Sequence, residues 1–447
     1  MSADERDRVL VLLKRFGWNS TSFQVLEPGF HYWFDGDDGC VGYVDIGGAW
    51  VVAGPPITAP DRVAETCKRF VAAADAAGRR VCCFGTEARF TELTGWQALR
   101  IGDQPIWAPG DWSAVVKESR SLREQLRRAR AKGVVVRELE VDELAAGHPT
   151  RTRIEALIER WLATRPIAPM GFLVQIDPFK LPEERRYFVA EREGRIVAFL
   201  GIIPIYARRG WFFEDFLRDP DAPNGTIELL VDAGMRTAAA ANVELVTLGL
   251  VPLAGDVSTW LRAARKLGRA LYDFDGLRAF KAKFKPRTWD PIYLSYPRGH
   301  SVLAVADTLK AFAHGGLLRF GLETFLRGPA IVVRALSALL VIWTVLLALP
   351  TNEHYFPAPA CQWGWVAFDV ALAVGLFSLA HRWRQPLADI IASVVTADAA
   401  VTIIQAFVYD FPRRRGVLDV IVIIVAMLAP TVAALLLWNA RAHRAAS

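Results

Sequence analysis

The sequence predicts an α/β fold class: two similar α/β units in tandem, followed by a small α-helical transmembrane domain. Three observations predict it. An order of strand, strand, helix and strand occurs twice between residues 23 and 297, apolar periodicity lapses between the two around 140–150, and four apolar segments crowd the end of the chain.

The elements follow in order. The opening "MSADERDRVLVLLKRFGW" is too charged, and its apolar run too short, for a secretory signal, so membrane attachment is expected further along. "GCVGYVDIGGAWVVAG" reads as two strands joined at Gly47-Gly48. "PDRVAETCKRFVAAADAAG" has apolar residues at helical spacing and a glycine stop at Gly78, and "RRVCCFG" is a buried strand. After the lapse at "ELEVDELAAGHPT", the stretch "YFVAEREGRIVAFLGIIPIYARRGWFFEDFL" gives a strand, a Glu-Gly turn and two further strands. "GTIELLVDAGMRTAAAANV" is then a helix and "ELVTLGLVPL" a strand. The expected divisions are 1–145 and 146–300 for the two units, a linking helix over 301–330, and a membrane domain of about four helices over 331–440.

The apolar segments lie at 331–349, 363–381, 387–409 and 416–438, the longest of them sufficient for a hydrocarbon layer of about 30 Å. Trp363, Trp365, Trp383 and Trp438 mark their ends as an interfacial belt does. Arg319, Arg327 and Arg334 precede or open the first segment, whereas the loop "PTNEHYFPAPACQ" carries no Lys or Arg. That asymmetry puts the α/β part on the cytoplasmic side. Strict alternation then puts "DFPRRRG" outside, against the same rule, so the third segment is either re-entrant or interfacial, or breaks the rule locally. Asp369, Asp389, Asp398 and Asp419 cost about 2.5–3.5 kcal/mol each at a span's centre facing lipid, and are expected to face one another, a cavity or the interface.

Composition narrows the partners. Hydrophobic residues make up 53% of the 447, and a net charge of +6 with a pI near 9.1 favours anionic partners, nucleic acid or acidic lipid alike. The five cysteines form no CxxC pair and suit a reduced compartment. The seven histidines are scattered, so no metal site is expected, and no glycine-rich loop of the kind that cradles coenzyme A pyrophosphate is present.

Chemistry concentrates in "WFFEDFLRDPDAPNGTIELL". Glu214 and Asp215 are adjacent on a strand, where alternation sends only one of them into a site; a solvated edge pair is the plain alternative. Arg218 can grip phosphate bidentately, or pair with Asp219 or Asp221. Asn224, Gly225 and Thr226 form a turn into a helix whose first N–H groups are free for an anion or a carbonyl oxygen. "AFKAKFKPR" alternates Phe280, Ala282 and Phe284 with Lys281, Lys283 and Lys285, which reads as a strand with its lysines on one face. "SRSLREQLRRARAKG" is a helix presenting Arg123, Arg127 and Arg130 on one side, suited to phosphates of nucleic acid or of lipid, or simply to water.

"APNGTIELL", "LGLVPLAG" and "LYDFDGLRAFKAKFKPRTWDPIYLSYP" resemble the C-terminal catalytic domain of the bacterial multiple peptide resistance factor family, the phosphatidylglycerol lysyl- and alanyltransferases; "GPPIT" and "FTELTGWQALRIGDQPIW" are similar to its N-terminal half. The resemblance covers roughly residues 20–300. It implies tandem GNAT-like domains that move an aminoacyl group from aminoacyl-tRNA to a lipid hydroxyl, with no metal and no acetyl-CoA, at the inner bacterial membrane, lowering the negative charge of the envelope. Lys281 and Lys283 match the family's "FKAKF". The family's acid-x-x-Arg motif falls on Asp215 and Arg218 by its own spacing, and on Glu214 and Leu217 by counting back from Ala222. The resemblance departs in the membrane part, which is short and C-terminal here.

Exchanging one ester for another needs a positioned hydroxyl, help with its proton, and positive charge where the oxyanion develops. Glu214 or Asp215 can serve as the base or hold the α-ammonium, Arg218 the lipid phosphate, and Lys281 or Lys283 the oxyanion or the tRNA 3′ end. All are expected to converge in one cleft. The rival readings are a FemX-like transfer to a peptidoglycan precursor and a non-catalytic lipid- or RNA-binding membrane protein.

Overall fold

The computed structural model describes residues 3–164, 171–174, 176–268, 272–297, 299, 301–313, 316, 320, 329–414 and 416–445. The described residues up to 316 form one compact unit, and those from 320 onward a second.

A single mixed sheet runs through the first unit. Its strands are β1 (His31–Phe34), β2 (Gly39–Asp45), β3 (Ala49–Ala53), β4 (Ile57–Thr58), β5 (Arg80–Thr86), β6 (Gln97–Trp107), β7 (Val135–Glu138), β8 (Arg186–Arg192), β9 (Arg195–Ile205), β10 (Gly210–Arg218), β11 (Leu245–Thr247), β12 (Val251–Pro252) and β13 (Thr288–Tyr296). The order is β1-β2-β3-β5-β13-β6-β11-β10-β9-β8-β7, with β4 on β2 and β12 on β6. The helices are α1 (Ala3–Phe16), α2 (Val63–Ala76), α3 (Ala88–Thr94), α4 (Trp112–Glu118), α5 (Arg120–Ala131), α6 (Pro149–Ala163), α7 (Thr226–Ala240), α8 (Thr259–Gly268), α9 (Phe274–Ala282) and α10 (Ser301–Phe312).

The repeat read from the sequence is present. β1, β2 and β3 are antiparallel, and α2 then carries the chain to β5, parallel to β3. β8, β9 and β10 are likewise antiparallel, and α7 leads to β11, parallel to β10. Gly47 (φ +83°) and Gly78 (φ +67°) occupy the two turns assigned to them. The halves are interleaved, because β13 lies between β5 and β6, hydrogen-bonded to both. The sheet is therefore continuous across residue 145. Behind β5, Arg80 clamps the buried Asp307 of α10 through two nitrogens, at 2.7 and 3.0 Å.

One face of the second half packs on α4, α5 and α7, through Trp112, Leu122, Leu126, Phe188, Leu200, Phe213, Leu230 and Met235. The opposite face carries Ile154 and Leu157 of α6 against Tyr187, Val189, Phe199 and Leu217. Which face a side chain of β10 takes decides where the chemistry is.

One expected strand is a helix. "AFKA" closes α9, which Asp273 caps by accepting the Gly276 N–H at 2.8 Å, and Lys283 and Phe284 form the turn that follows. The alternation of Phe and Lys that imitates a strand also sets Phe280 and Phe284 four apart, and their rings meet edge-on at 5.3 Å. Lys281, Lys283 and Lys285 consequently share no face.

The second unit contains α11 (Pro329–Leu347), α12 (Pro359–His381), α13 (Gln385–Gln405) and α14 (Val417–Ala445). Pro359–His381, Gln385–Arg413 and Asp419–Arg441 are long and apolar enough to cross a membrane, and Val332–Leu347 is a shorter apolar helix. Past Gln405, α13 continues through a π turn, Ala406–Asp410, and a 3-10 turn, Phe411–Arg413. Leu372, Leu376, Ile391, Val395 and Leu437 pack inward, while Phe377, Ile404, Val408 and Leu435 point out. Asp398 accepts from Thr402, Asp419 from Tyr355, and Asp389 pairs with Arg441; Asp369 is buried. Arg319 and Arg327, and most of the expected linking helix beyond residue 313, lie outside the described residues.

Candidate active site

The register of β10 against β9 slips at the acid pair. Phe213 stands opposite Ile202 and Asp215 opposite Gly201, so Glu214 is an extra residue in the strand. Such a bulge breaks the alternation of faces. Phe213 and Phe216 face the α7 side, Leu217 faces α6, and Glu214 and Asp215 both turn to the face away from α7. The expectation that only one of the two acids enters a site is overturned by this one inserted residue.

On that face the acids meet residues far away in sequence. Buried Arg185 donates through Nη1 to Glu214 Oε2 at 2.9 Å, and its guanidinium lies 5.2 Å from the Phe23 ring. Gln24 Nε2 donates to Glu214 Oε1 at 2.6 Å and to the Leu173 carbonyl at 3.1 Å. Glu27, 6% exposed, and Asp177 add their charges to the same cluster. Three carboxylates, Glu27, Glu214 and Asp215, thus share one guanidinium in a poorly hydrated place, while Asp177 at the rim pairs with Lys180 at 3.1 Å. Burial first, then the charge of Glu214, pushes the carboxyls of Glu27 and Asp215 well above the usual range. Neither of these two accepts a hydrogen bond from a described residue. Gly201 gives Asp215 its room, since a Cβ there would come within 3.2 Å of Asp215 Oδ2.

Arg218, three residues on, points to the opposite face. Its Nη2 donates to the Ala222 carbonyl at 2.5 Å and lies 3.4 Å from Asn224 Oδ1, stapling the loop before α7. Asp219 pairs instead with Arg160 at 2.9 Å. Gly225 (φ +94°) is the N-cap of α7 and abuts α5 so closely that a Cβ would sit 2.3 Å from the Gln125 carbonyl oxygen. Thr226 is fully buried and donates to the Pro223 carbonyl at 2.7 Å. Asn224, Gly225 and Thr226 therefore serve the packing of α7 on α5. In the first turn of α7, Glu228 holds Lys283 at 2.6 Å, with the lysine Nζ 4.2 Å from the Phe280 ring.

Lys281 is buried and donates to three successive carbonyls, of Leu248, Gly249 and Leu250, at 2.6, 2.9 and 3.1 Å. Burial pushes its ammonium down to about 7. The held loop leaves β11 and packs Gly249 on the ring of Phe212, which lies just before the bulge. Lys281 thus reaches the acid face through the backbone. It is a positioning residue.

The single cleft expected for all these groups is not what the sheet builds. Glu214 and Asp215 stand together on one face with Glu27, Arg185 and Gln24, none of which the sequence singled out. Arg218, Asn224, Gly225, Thr226 and Lys283 gather on the other. The available signal for Glu27 was a lone acid inside the apolar run "FQVLEPGF"; nothing local marks Arg185. On α5, Arg123 donates to the Val116 and Lys117 carbonyls, Arg127 pairs with Glu124 and Arg130 with Asp232, yet Arg127 remains 70% exposed. A pocket of about 250 Å³ in the first half, lined by Trp18, Pro55, Pro56, Glu87 and Arg89, contains none of these residues.

The family described as phosphatidylglycerol lysyltransferase, C-terminal, matches residues 11–296. The phosphatidylglycerol lysyltransferase of Bacillus subtilis (strain 168) is 31% identical over 159 residues, which are 33% of this chain and 18% of that protein. The lysylphosphatidylglycerol biosynthesis bifunctional protein LysX of Mycolicibacterium gilvum (strain PYR-GCK) is 26% identical over 230 residues, 47% of this chain and 20% of that protein. The chain thus spans about a fifth of the length of these relatives. Among solved structures, L-PGS from Bacillus licheniformis superposes with a TM-score of 0.60 at 22% identity, covering 69% of this chain and 96% of that one. A C-terminal domain from Agrobacterium fabrum, assigned to a lysylphosphatidylglycerol synthetase, gives 0.61 at 23%, covering 70% and 99%. At those identities the two structures establish the fold, and the match over 11–296 establishes the kinship: this chain belongs to the family of phosphatidylglycerol lysyltransferase C-terminal domains.

Proposed function

We propose that this chain transfers an aminoacyl group from aminoacyl-tRNA to a hydroxyl of phosphatidylglycerol, with its α/β unit on the cytoplasmic side of the membrane that α12 to α14 cross. The observation that carries the reading is the carboxylate cluster at the β10 bulge. Three acids surround one arginine, so carboxylates outnumber cations, and among the described residues Glu27 and Asp215 have no donor of their own. An ammonium group supplies what is missing, and every aminoacyl ester carries one.

With the α-ammonium held there, the ester carbonyl lies beside a carboxylate. Asp215 has a raised affinity for protons, which suits it to take the proton of the lipid hydroxyl as the oxygen attacks the carbonyl carbon. The new ester forms, the tRNA 3′ oxygen leaves, and the proton passes to it. One ester replaces another, so no further energy source enters. The exposed arginines of α5 offer charge to tRNA phosphates.

The test is direct. The purified full chain in phosphatidylglycerol vesicles, given tRNA charged with labelled amino acids in turn, is expected to move label into the lipid fraction. Prior ribonuclease treatment should abolish that transfer. An unlabelled lipid fraction across all the amino acids overturns the reading.

A further inference from the structure

Outside the acid cluster, α8 carries cations of its own. Its sequence, TWLRAARKLG, contains Arg262, Arg265 and Lys266 and no acid. At 3.6 residues per turn, Trp260, Ala263 and Ala264 fall within about 100° of one another, and the three cations occupy the opposite arc. The helix rests on the protein by a narrow edge. Leu261 is 5% exposed and Arg265 is held by the Leu253 carbonyl and by Asp275, whereas Trp260, Arg262, Ala263, Ala264 and Lys266 are all exposed. A tryptophan left in water at 38% exposure, on a helix whose other side carries two exposed cations, is not accounted for by the core of this unit.

We propose that α8 lies in the headgroup boundary of an anionic bilayer, with Trp260 entering the interface and Arg262 and Lys266 against lipid phosphates. Three features favour a bilayer over a protein partner. The helix is basic and amphipathic, the signature of an interfacial helix. Tryptophan is the side chain that anchors at the headgroup level. The same chain carries three helices long and apolar enough to cross a membrane, which makes a bilayer the partner nearest to hand in sequence.

The contact has a mechanical consequence. Arg265 ties α8 to the turn after β12 and, through Asp275, to α9. α9 in turn carries Lys281, which holds the loop at Phe212. A helix seated on lipid is thereby coupled by short polar links to the strand that bears Glu214 and Asp215. The inference stands on α8 and the membrane helices; the transferase reading enters only in the kinetic arm of its test.

The experiment uses the full chain with Cys361→Ser, since the other four cysteines are buried. An environment-sensitive fluorophore is placed at Ala264→Cys or, as a control, at Asp61→Cys, in nanodiscs carrying nitroxide-labelled lipid. Discs of phosphatidylcholine with phosphatidylglycerol should quench the probe at 264 strongly and the probe at 61 weakly. Arg262→Glu with Lys266→Glu should lower the quenched fraction at 264 by more than about tenfold. In the transfer assay the same pair should raise the lipid concentration needed for half-maximal rate and leave the maximal rate unchanged. Equal quenching at both sites, quenching indifferent to the charge reversal, or self-quenching between two chains in one disc each overturns the proposal. Quenching that persists where no transfer occurs upholds the docking and removes the transferase reading instead.

Discussion

At Gly201 the whole site depends on a missing methyl group. Gly201→Ala would place a Cβ 3.2 Å from Asp215 Oδ2 and 3.3 Å from its Cβ, so the carboxylate must move while the strand keeps its pairing. Transfer is expected to fall by at least about tenfold, as displacement of a positioned group does, with thermal unfolding little changed. Arg185→Met is the opposite case. It strands Glu214, Glu27 and Asp215 without their cation, and an unpaired buried charge costs about 3–5 kcal/mol; denaturant unfolding of the full chain in detergent measures it.

The raised carboxyls of Glu27 and Asp215 also set a pH dependence. The folded protein binds protons there that the unfolded chain releases near pH 4. Stability from this pair is therefore greatest in acid and is lost as pH rises from about 4 toward the folded values. Glu214→Gln removes the second cause of both shifts and should flatten that slope. An ammonium ligand should bind more tightly as pH rises through the same window, releasing protons as it does, which calorimetry in two buffers reads directly.

Among the elements, what the sequence showed and what it hid have separate physical causes. The strands and helices of both halves were legible because each is marked locally, by a period of two or of 3.6 and by glycine turns such as Gly47-Gly48 and Gly78. The acids were legible as residue types, but their common face was not, because a bulge depends on the register of β9 and not on β10 alone. Arg185 and Glu27 were hidden because they meet only when β8 and the segment after α1 fold together. "AFKAKF" was misread because a period of two and a spacing of four coincide at Phe280 and Phe284. The correction changes what Lys281 is expected to do. Lys281→Met leaves three buried carbonyls without a donor, at about 1–3 kcal/mol for each left unsatisfied. Loosening of the loop at Gly249 should slow transfer more than it weakens tRNA binding, a separation that the split between maximal rate and half-saturation reveals.

At the scale of the molecule, a basic face and helices long and apolar enough to cross a membrane would divide the proposed substrates by physical chemistry. On the proposed reading, charged tRNA comes from water and is drawn by charge, and the lipid is reached only at the bilayer. Binding of tRNA should weaken steeply with salt. Arg127→Ala, which removes the most exposed of the α5 arginines that pair with Glu124, should reduce the slope of log affinity against log salt by about one, in filter binding across a salt series.

The place of β13 has a consequence for how this protein is made. Because the last strand of the α/β unit slots between β5 and β6, the nascent chain cannot complete its earliest half until residue 296 has left the ribosome. By then translation is approaching the first hydrophobic helix. The edges of β5 and β6 stay open during synthesis, and a fragment ending at residue 145 should emerge as an aggregation-prone piece rather than a folded one. Folding of the α/β unit and emergence of the apolar helices are thus brought close together in time by the position of a single strand.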